Sequence, residues 1–252
     1  MSDHAMLNAV RTAAGPIEQA VAVFMLHPET FAESVAAGYQ EPFAGYAAGR
    51  GGVLGEVNGV TLSSIFVVFD PATLTFLWEQ GIAVRGAAAA ADLYWEQTAG
   101  FGRRHLGGAA GLERFAELGE KVIANASAGA LPLFAGWRAM PLAADSPARA
   151  LQVMFILREL RGSVHFNALS LVDITPVEAH MLNKGAEYAA TFGWAEPFAD
   201  GIAKKALYEE AERLTNARMA ELFAAALSSD EAEELARLSL AAAAALNASA
   251  SS

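Results

Sequence analysis

The sequence predicts an all-α fold, a multi-helix orthogonal bundle with a small helical C-terminal part. Apolar residues make up 54% of the 252 residues, which is enough for a sizeable core. Alanine, the strongest helix former, is abundant, and four helix-start patterns occur along the chain. Runs of β-branched residues, which favour strands, are scarce. These observations together indicate helices rather than sheets.

Each helix-start pattern places a capping residue before a proline, or three residues before a glutamate. The four patterns are Asp70-Pro71, Ser146-Pro147, Thr175 with Glu178, and Ser228 with Glu231. His27-Pro28-Glu29 is typical of a turn that begins another helix. The run from Thr61 to Phe69 fits either a strand or a buried helix that ends at Asp70, since short apolar runs do not discriminate between them.

A soft boundary near residues 172–175 divides the chain into two predicted parts. Residues 1–174 form a helical main domain, and residues 175–252 form a helical C-terminal part, with a degenerate winged helix as one interpretation. The Ala- and Ser-rich stretch at residues 241–252 is expected to fray.

Composition excludes several classes of site. The chain has no cysteine, so disulfides, thiolate zinc sites and a cysteine nucleophile are excluded. The net charge of −11 argues against nucleic acid as a partner. The N-terminus lacks a basic region followed by an apolar one, and no long apolar run resembles a membrane span. A cytoplasmic protein without membrane contact is expected.

One apolar helix, predicted over Ala148 to Val172, carries unusual charge. At helical spacing its stripe contains Leu151, Met154, Phe155, Arg158, Gly162, His165, Leu169 and Val172. A buried guanidinium needs a partner, because an unpaired buried charge costs several kcal/mol. Glycine inside a helix costs about 1 kcal/mol relative to alanine. Close approach of another backbone, or of a ligand, would account for Gly162.

Two interpretations of this helix are open. In the first, Arg158, Arg161 and His165 line a pocket for a small anionic or carbonyl-bearing molecule. In the second, Arg158 pairs with Glu159, Asp173 or another acid, and His165 is a core histidine with one hydrogen bond. A helical metal site is not expected, because the positions four residues from His165 hold arginine and leucine.

The pocket hypothesis assigns roles to eight residues. His165 is the candidate acid or base, with Arg158 and Glu159 as its catalytic partners. The predicted ligand contacts are Arg50, Arg161, Tyr46, Phe43 and Phe155. Arg50 has an alternative role at the C-terminal end of its own helix, where it would favour the helix dipole. His180 is expected at the surface.

Three stretches carry a family resemblance. They are Gly45 to Arg50 with Leu54-Gly55, then Phe66 to Pro71, and most distinctively Leu157-Arg158-Glu159-Leu160-Arg161-Gly162 with His165. The sequence resembles an uncharacterised actinobacterial family that is usually described as helix-turn-helix. The resemblance implies a helical main domain followed by a winged-helix-like tail, and it covers about residues 20 to 180.

The tail departs from that pattern. Phe192-Gly193-Trp194 is followed after a short gap by Asp200-Gly201 and by Glu212 with Thr215-Asn216, so the helix that would read DNA is largely deleted. Residues 193–201 contain no lysine or arginine.

The leading hypothesis is therefore a helical small-molecule-binding protein, with an enzyme that uses His165 as one form of it. The alternatives are a ligand-responsive transcription regulator and a haem-binding protein that uses His165 or His27. No cofactor is identified by the sequence. A homodimer is an open possibility through C-terminal apolar residues, namely Leu214, Met219, Leu222, Phe223 and Leu227.

Overall fold

A computed structural model describes residues 2–251, and this part of the chain contains thirteen α-helices and no β-strand. The predicted all-α multi-helix bundle is confirmed. The helices are α1 (Ser2–Leu26), α2 (Pro28–Ala36), α3 (Pro42–Gly51), α4 (Gly59–Phe66), α5 (Pro71–Arg85), α6 (Ala87–Leu106), α7 (Leu112–Asn125), α8 (Pro132–Trp137), α9 (Ser146–Leu171), α10 (Pro176–Asn183), α11 (Ala186–Thr191), α12 (Lys205–Ala224) and α13 (Ser229–Ala250).

The helix starts follow local capping chemistry. Asp70 accepts a hydrogen bond from the Thr73 amide, and Thr175 and Ser228 each form a capping box, as predicted. The prediction of Ser146 as a cap is wrong by one residue. Asp145 caps α9 by accepting from the Ala148 amide at 3.2 Å, and its carboxylate is better suited to that role than a hydroxyl beside the helix dipole.

Helix α9 lies at the centre of the bundle and packs against α1, α6, α7, α8 and α12. Every residue from 150 to 157 is buried, so this half of the helix is enclosed on all faces. The second half, from Arg158 onward, has a partly open side. The predicted helix over Ala148 to Val172 is confirmed, and the structure divides it into a core half and a half that faces a cavity.

The last helix, α13, packs along α1. Buried residues Ala242, Ala243 and Leu246 hold its C-terminal half, and the Ala250 carbonyl accepts a hydrogen bond from His27 at 3.0 Å. The structure places residues 241–250 in α13, against the prediction that residues 241–252 fray, and Ser252 lies outside the described residues. The main apolar core contains residues from both sides of the predicted boundary, and the two-part division stays a prediction.

Most of the C-terminal apolar residues considered for a dimer interface are buried in the core of the protein. Met219, Leu222, Phe223 and Leu227 are buried in the main core, and Leu214 alone is partly exposed. The segment at 61–69 resolves as helix α4, which ends at Phe66 rather than at Asp70.

Candidate functional site

A buried chain of ion pairs begins at Arg50. Its Nε and Nη2 donate to the two carboxylate oxygens of Glu159 at 2.8 and 2.9 Å, and both side chains are about 1% exposed. Arg158 Nη1 donates to the same carboxylate at 2.8 Å. Burial alone would raise the pKa of Glu159, but the two guanidinium groups outweigh it and hold that pKa below its ordinary value. The carboxylate is therefore charged at neutral pH.

Arg158 therefore pairs with Glu159, as the second interpretation of this helix predicted. Arg50 lies in the last turn of α3, as its alternative role at the helix end requires, and it is fully buried. It lies over the Phe66 ring at 4.4 Å and donates to the Tyr46 hydroxyl at 3.1 Å. Phe155 is fully buried, with its ring 4.7 Å from that of Trp137. The structure therefore places four of the predicted ligand contacts, Arg50, Tyr46, Phe43 and Phe155, away from the cavity described next.

A cavity of about 290 Å³ lies between α1, the open half of α9, the turn after α4, and helices α10 to α12. Apolar side chains such as Phe166 and Leu169 form part of its wall. The polar part of the lining is made of Glu18, Arg158, Arg161, His165, His180, Asn183, Lys184, Tyr188, Tyr208 and Glu212. The structure thus brings together three of the predicted site residues, Arg158, Arg161 and His165.

Both cavity arginines have acidic partners. Arg158 donates from Nε to Glu18 at 3.2 Å as well as to Glu159. Arg161 donates from Nη2 to Glu212 at 2.9 Å, while its buried Nε has no hydrogen-bond partner in residues 2–251. A buried donor without a partner costs about 1–3 kcal/mol. The Arg161 guanidinium is therefore incompletely satisfied.

The hydrogen bond of His165 fixes its tautomer. Thr215 Oγ1 donates its only proton to the Ala211 carbonyl at 2.7 Å, so it must accept from His165 Nδ1 at 3.1 Å. In the neutral ring Nε2 then carries a lone pair, and it has no hydrogen-bond partner among the described residues. Burial lowers the pKa of His165, which Glu212 only partly offsets, so the ring is neutral at pH 7.

The turn at Val67 and Val68 forms the cavity wall opposite α9, and the sequence did not indicate this turn. Val67 has φ 61° and ψ −44°, and the Val68 amide donates to the Phe66 carbonyl at 2.6 Å, which defines a strained γ-turn with positive φ. Such a conformation is unusual for a β-branched residue. The Val68 carbonyl accepts from His180 Nε2 at 2.6 Å and from Trp194 Nε1 at 2.9 Å.

His180 was expected at the surface, and this prediction is wrong. The side chain is buried, and its ring stacks on Phe192 with an interplanar angle of 2°. Burial lowers the pKa of His180 despite the hydrogen bond to the Val68 carbonyl. No local sequence pattern indicated this contact, because His180 and Trp194 lie 112 and 126 residues from Val68.

Gly162 has the clearest relation to the cavity. A Cβ built on it would have no heavy atom of residues 2–251 within 4 Å, apart from its chain neighbours and the backbone of its own helix. Gly15 of α1, which also lines the cavity, is equally open, whereas Gly81 allows close packing, since a Cβ there would lie 2.3 Å from the Ala44 carbonyl oxygen. The glycine at 162 serves no such contact and leaves open volume instead.

The metal and haem alternatives depend on how the histidines and carboxylates are placed. No cluster of three or more His, Asp or Glu side chains is placed to hold a metal ion. His27 uses both ring nitrogens, since Nδ1 accepts from the Glu29 amide and Nε2 donates to the Ala250 carbonyl. Among the two histidines considered for haem, only His165 keeps a free ring nitrogen.

Comparison with models of known protein families identifies the family of this chain. A model of a helix-turn-helix family matches residues 10–251. The chain belongs to this helix-turn-helix family. The predicted helix-turn-helix family is thus confirmed, while the actinobacterial source and the motif from Leu157 to His165 as a mark of the family stay predictions. No curated protein and no solved structure shows a significant match. None of the helices in residues 2–251 is long and apolar enough to cross a membrane.

In this helix-turn-helix protein, α10 and α11 form a short helix pair. Lys184 and Gly185 join them, and Gly185 adopts φ 86°, which a glycine tolerates and other residues rarely do. The pair lies on the cavity wall through His180 and Tyr188. The cavity therefore contacts the α10–α11 helix pair and the central helix α9 at the same time.

Proposed function

We propose that this helix-turn-helix protein binds a small anionic or carbonyl-bearing molecule in the cavity beside α9. The observation that supports it most is the open volume at Gly162, in the half of α9 that faces the cavity. A cavity of about 290 Å³ is at the lower end of the usual range for small-molecule sites. Arg158, Arg161 and His165 supply the few polar groups that such sites use to orient a ligand.

Substitutions at Gly162 test the proposal. Gly162→Ala is expected to raise the free energy of unfolding by about 0.5–1 kcal/mol, because alanine favours the helix and meets no atom. Gly162→Leu is expected to fold and to lose ligand binding, because its side chain occupies the cavity. Binding is measured by thermal shift against a panel of small carboxylic and keto acids, and by native mass spectrometry for copurified molecules.

Gly100→Ala in α6 is the matched control. Gly100 lies outside the cavity, and an added Cβ would meet only the flexible end of Arg104 at 3.3 Å. This variant is expected to gain helix stability while it binds like the wild type. A Gly162→Leu protein that binds as tightly as the wild type would contradict the proposal.

The same site offers a base if the bound molecule is transformed. His165 is neutral and has a free Nε2, as general base catalysis requires. Arg158 and Arg161 would then stabilise developing negative charge. Glu159 serves this arrangement indirectly, as the buried counter-ion that positions Arg158. Conversion of a bound acid, followed by mass spectrometry, separates an enzyme from a binding protein.

A transcription regulator is the second candidate, and family membership favours it. The short connection between α10 and α11 is typical of a helix-turn-helix pair. The charge of this segment is less suitable for binding DNA, since residues 176–216 contain four basic and seven acidic side chains. A gel shift with random duplex DNA at low salt decides the matter. Tight and salt-sensitive binding supports the regulator, and its absence favours a binding protein without DNA contact.

A further inference from the structure

The polar groups of the cavity are already largely neutralised. Glu18 faces Arg158, and Glu212 faces Arg161 at 2.9 Å. Lys184 is a further basic group on the rim. A ligand therefore meets two carboxylates as well as the two guanidinium groups and the Lys184 ammonium group, so a multiply charged phosphate gains less net attraction than a purely basic site would give. Recognition has to come from directional hydrogen bonds that the protein leaves unmade.

Arg161 provides unused donors. A guanidinium has five N–H groups, and the structure shows one hydrogen bond from this side chain, to Glu212. Its buried Nε has no partner in the described part of the chain. Buried donors in native proteins are almost always satisfied, so an exception calls for a missing partner. A ligand carboxylate beside a slightly rotated guanidinium would supply acceptor oxygens in the bidentate geometry that arginine prefers.

His165 provides an unused acceptor. Thr215 holds Nδ1 in the protonated form, so Nε2 accepts and does not donate. A carboxylate oxygen has no proton for this nitrogen, and a plain anion would leave it unpaired. Arg161 and His165 are four residues apart on α9, and their side chains are neighbours on one face of the helix. One ligand can therefore contact both.

We propose that the ligand is a compact hydroxy-monocarboxylic acid, in which the carboxylate accepts from Arg161 and a neighbouring hydroxyl donates to His165 Nε2. The proposal rests on the proposed function, since it names the class of molecule that the cavity takes. The remainder of the ligand is apolar, because Phe166 and Leu169 form the adjoining wall. The site selects the hydroxyl through His165 Nε2, an acceptor with no hydrogen-bond partner among the described residues.

Mandelate and phenylacetate test this inference, because they differ only in the hydroxyl group beside the carboxylate. We expect the wild-type protein to bind mandelate about tenfold more tightly in calorimetric titrations, which is the effect of one well-placed hydrogen bond. In His165→Phe the preference is expected to fall to about one, with phenylacetate affinity retained. In Arg161→Met both acids are expected to bind more weakly. Phenyl phosphate is the charge control and is expected to bind more weakly than either acid.

Equal affinity of the wild type for the two acids overturns the inference, and so does a mandelate preference that survives in His165→Phe. If neither acid binds but another molecule from the panel does, and Gly162→Leu abolishes that binding, the ligand class is wrong and the proposed function stands. If no small molecule binds the wild type, both fail.

Discussion

A Glu159→Gln variant is expected to lose about 3–5 kcal/mol of unfolding free energy, against a total of about 5–15 kcal/mol for a typical domain. Glutamine keeps the shape of the side chain but removes the charge. Arg50, which is fully buried, would then be an unpaired cation in the core. Urea unfolding followed by circular dichroism measures the loss.

Two further variants separate charge from packing. Arg50→Met combined with Glu159→Met removes the buried pair and leaves Arg158 with Glu18, so it is expected to be more stable than Glu159→Gln alone. Arg218→Ala removes an exposed pair with Glu221 and is expected to leave the urea midpoint almost unchanged. A loss below about 1 kcal/mol in Glu159→Gln would show that water or relaxation solvates Arg50.

The helix that carries the site could be predicted because its signal is local. Proline after a capping residue and a long apolar run specify α9 almost to the residue, and its side chains then recur with the 3.6-residue spacing of a helix. The same spacing placed Arg158, Gly162 and His165 on one stripe, and all three line the cavity. What one helix presents on one face follows from its sequence alone.

The partners of that face could not be predicted, because they come from distant parts of the chain. Arg50 lies 109 residues from Glu159, and Glu18 lies 140 residues from Arg158. An arginine near the end of one helix suits a dipole contact, a pocket or a buried pair equally well before packing is known. Aromatic residues such as Phe43 and Tyr46 likewise suit a ligand or a core.

The cavity wall at Val67 and Val68 could not be predicted from the sequence for another reason. The turn at Val67 has no glycine or asparagine, the residues that normally mark a positive φ. Its conformation is imposed by tertiary contacts, since the Val68 carbonyl is held by His180 and Trp194. Strain of this kind persists only where surrounding structure enforces it, and it is frequent at functional sites. The turn connects the cavity wall to the α10–α11 helix pair through the hydrogen bond from His180.

Substitution of Phe155, which the sequence predicted as a ligand contact, is expected to have the second large effect on stability. Phe155→Ala is expected to lower the unfolding free energy by about 3–5 kcal/mol. The ring is fully buried, and it packs against Trp137 at 4.7 Å and Trp95 at 5.8 Å between centroids. The partners are rigid rings that cannot collapse into the space, so a cavity remains. Thermal and urea unfolding measure the loss.

Phe166→Ala on the same helix is the matched comparison. Phe166 is partly exposed and lines the cavity, whereas Phe155 does not. The two variants are therefore expected to separate stability from binding. Phe155→Ala loses stability while the folded fraction binds as the wild type does, and Phe166→Ala keeps most of its stability while binding weakens. If Phe155→Ala weakened binding at temperatures where it is fully folded, the ligand would lie deeper along α9, beside the Arg50–Glu159 pair, and the cavity at Gly162 would be its entrance rather than its site.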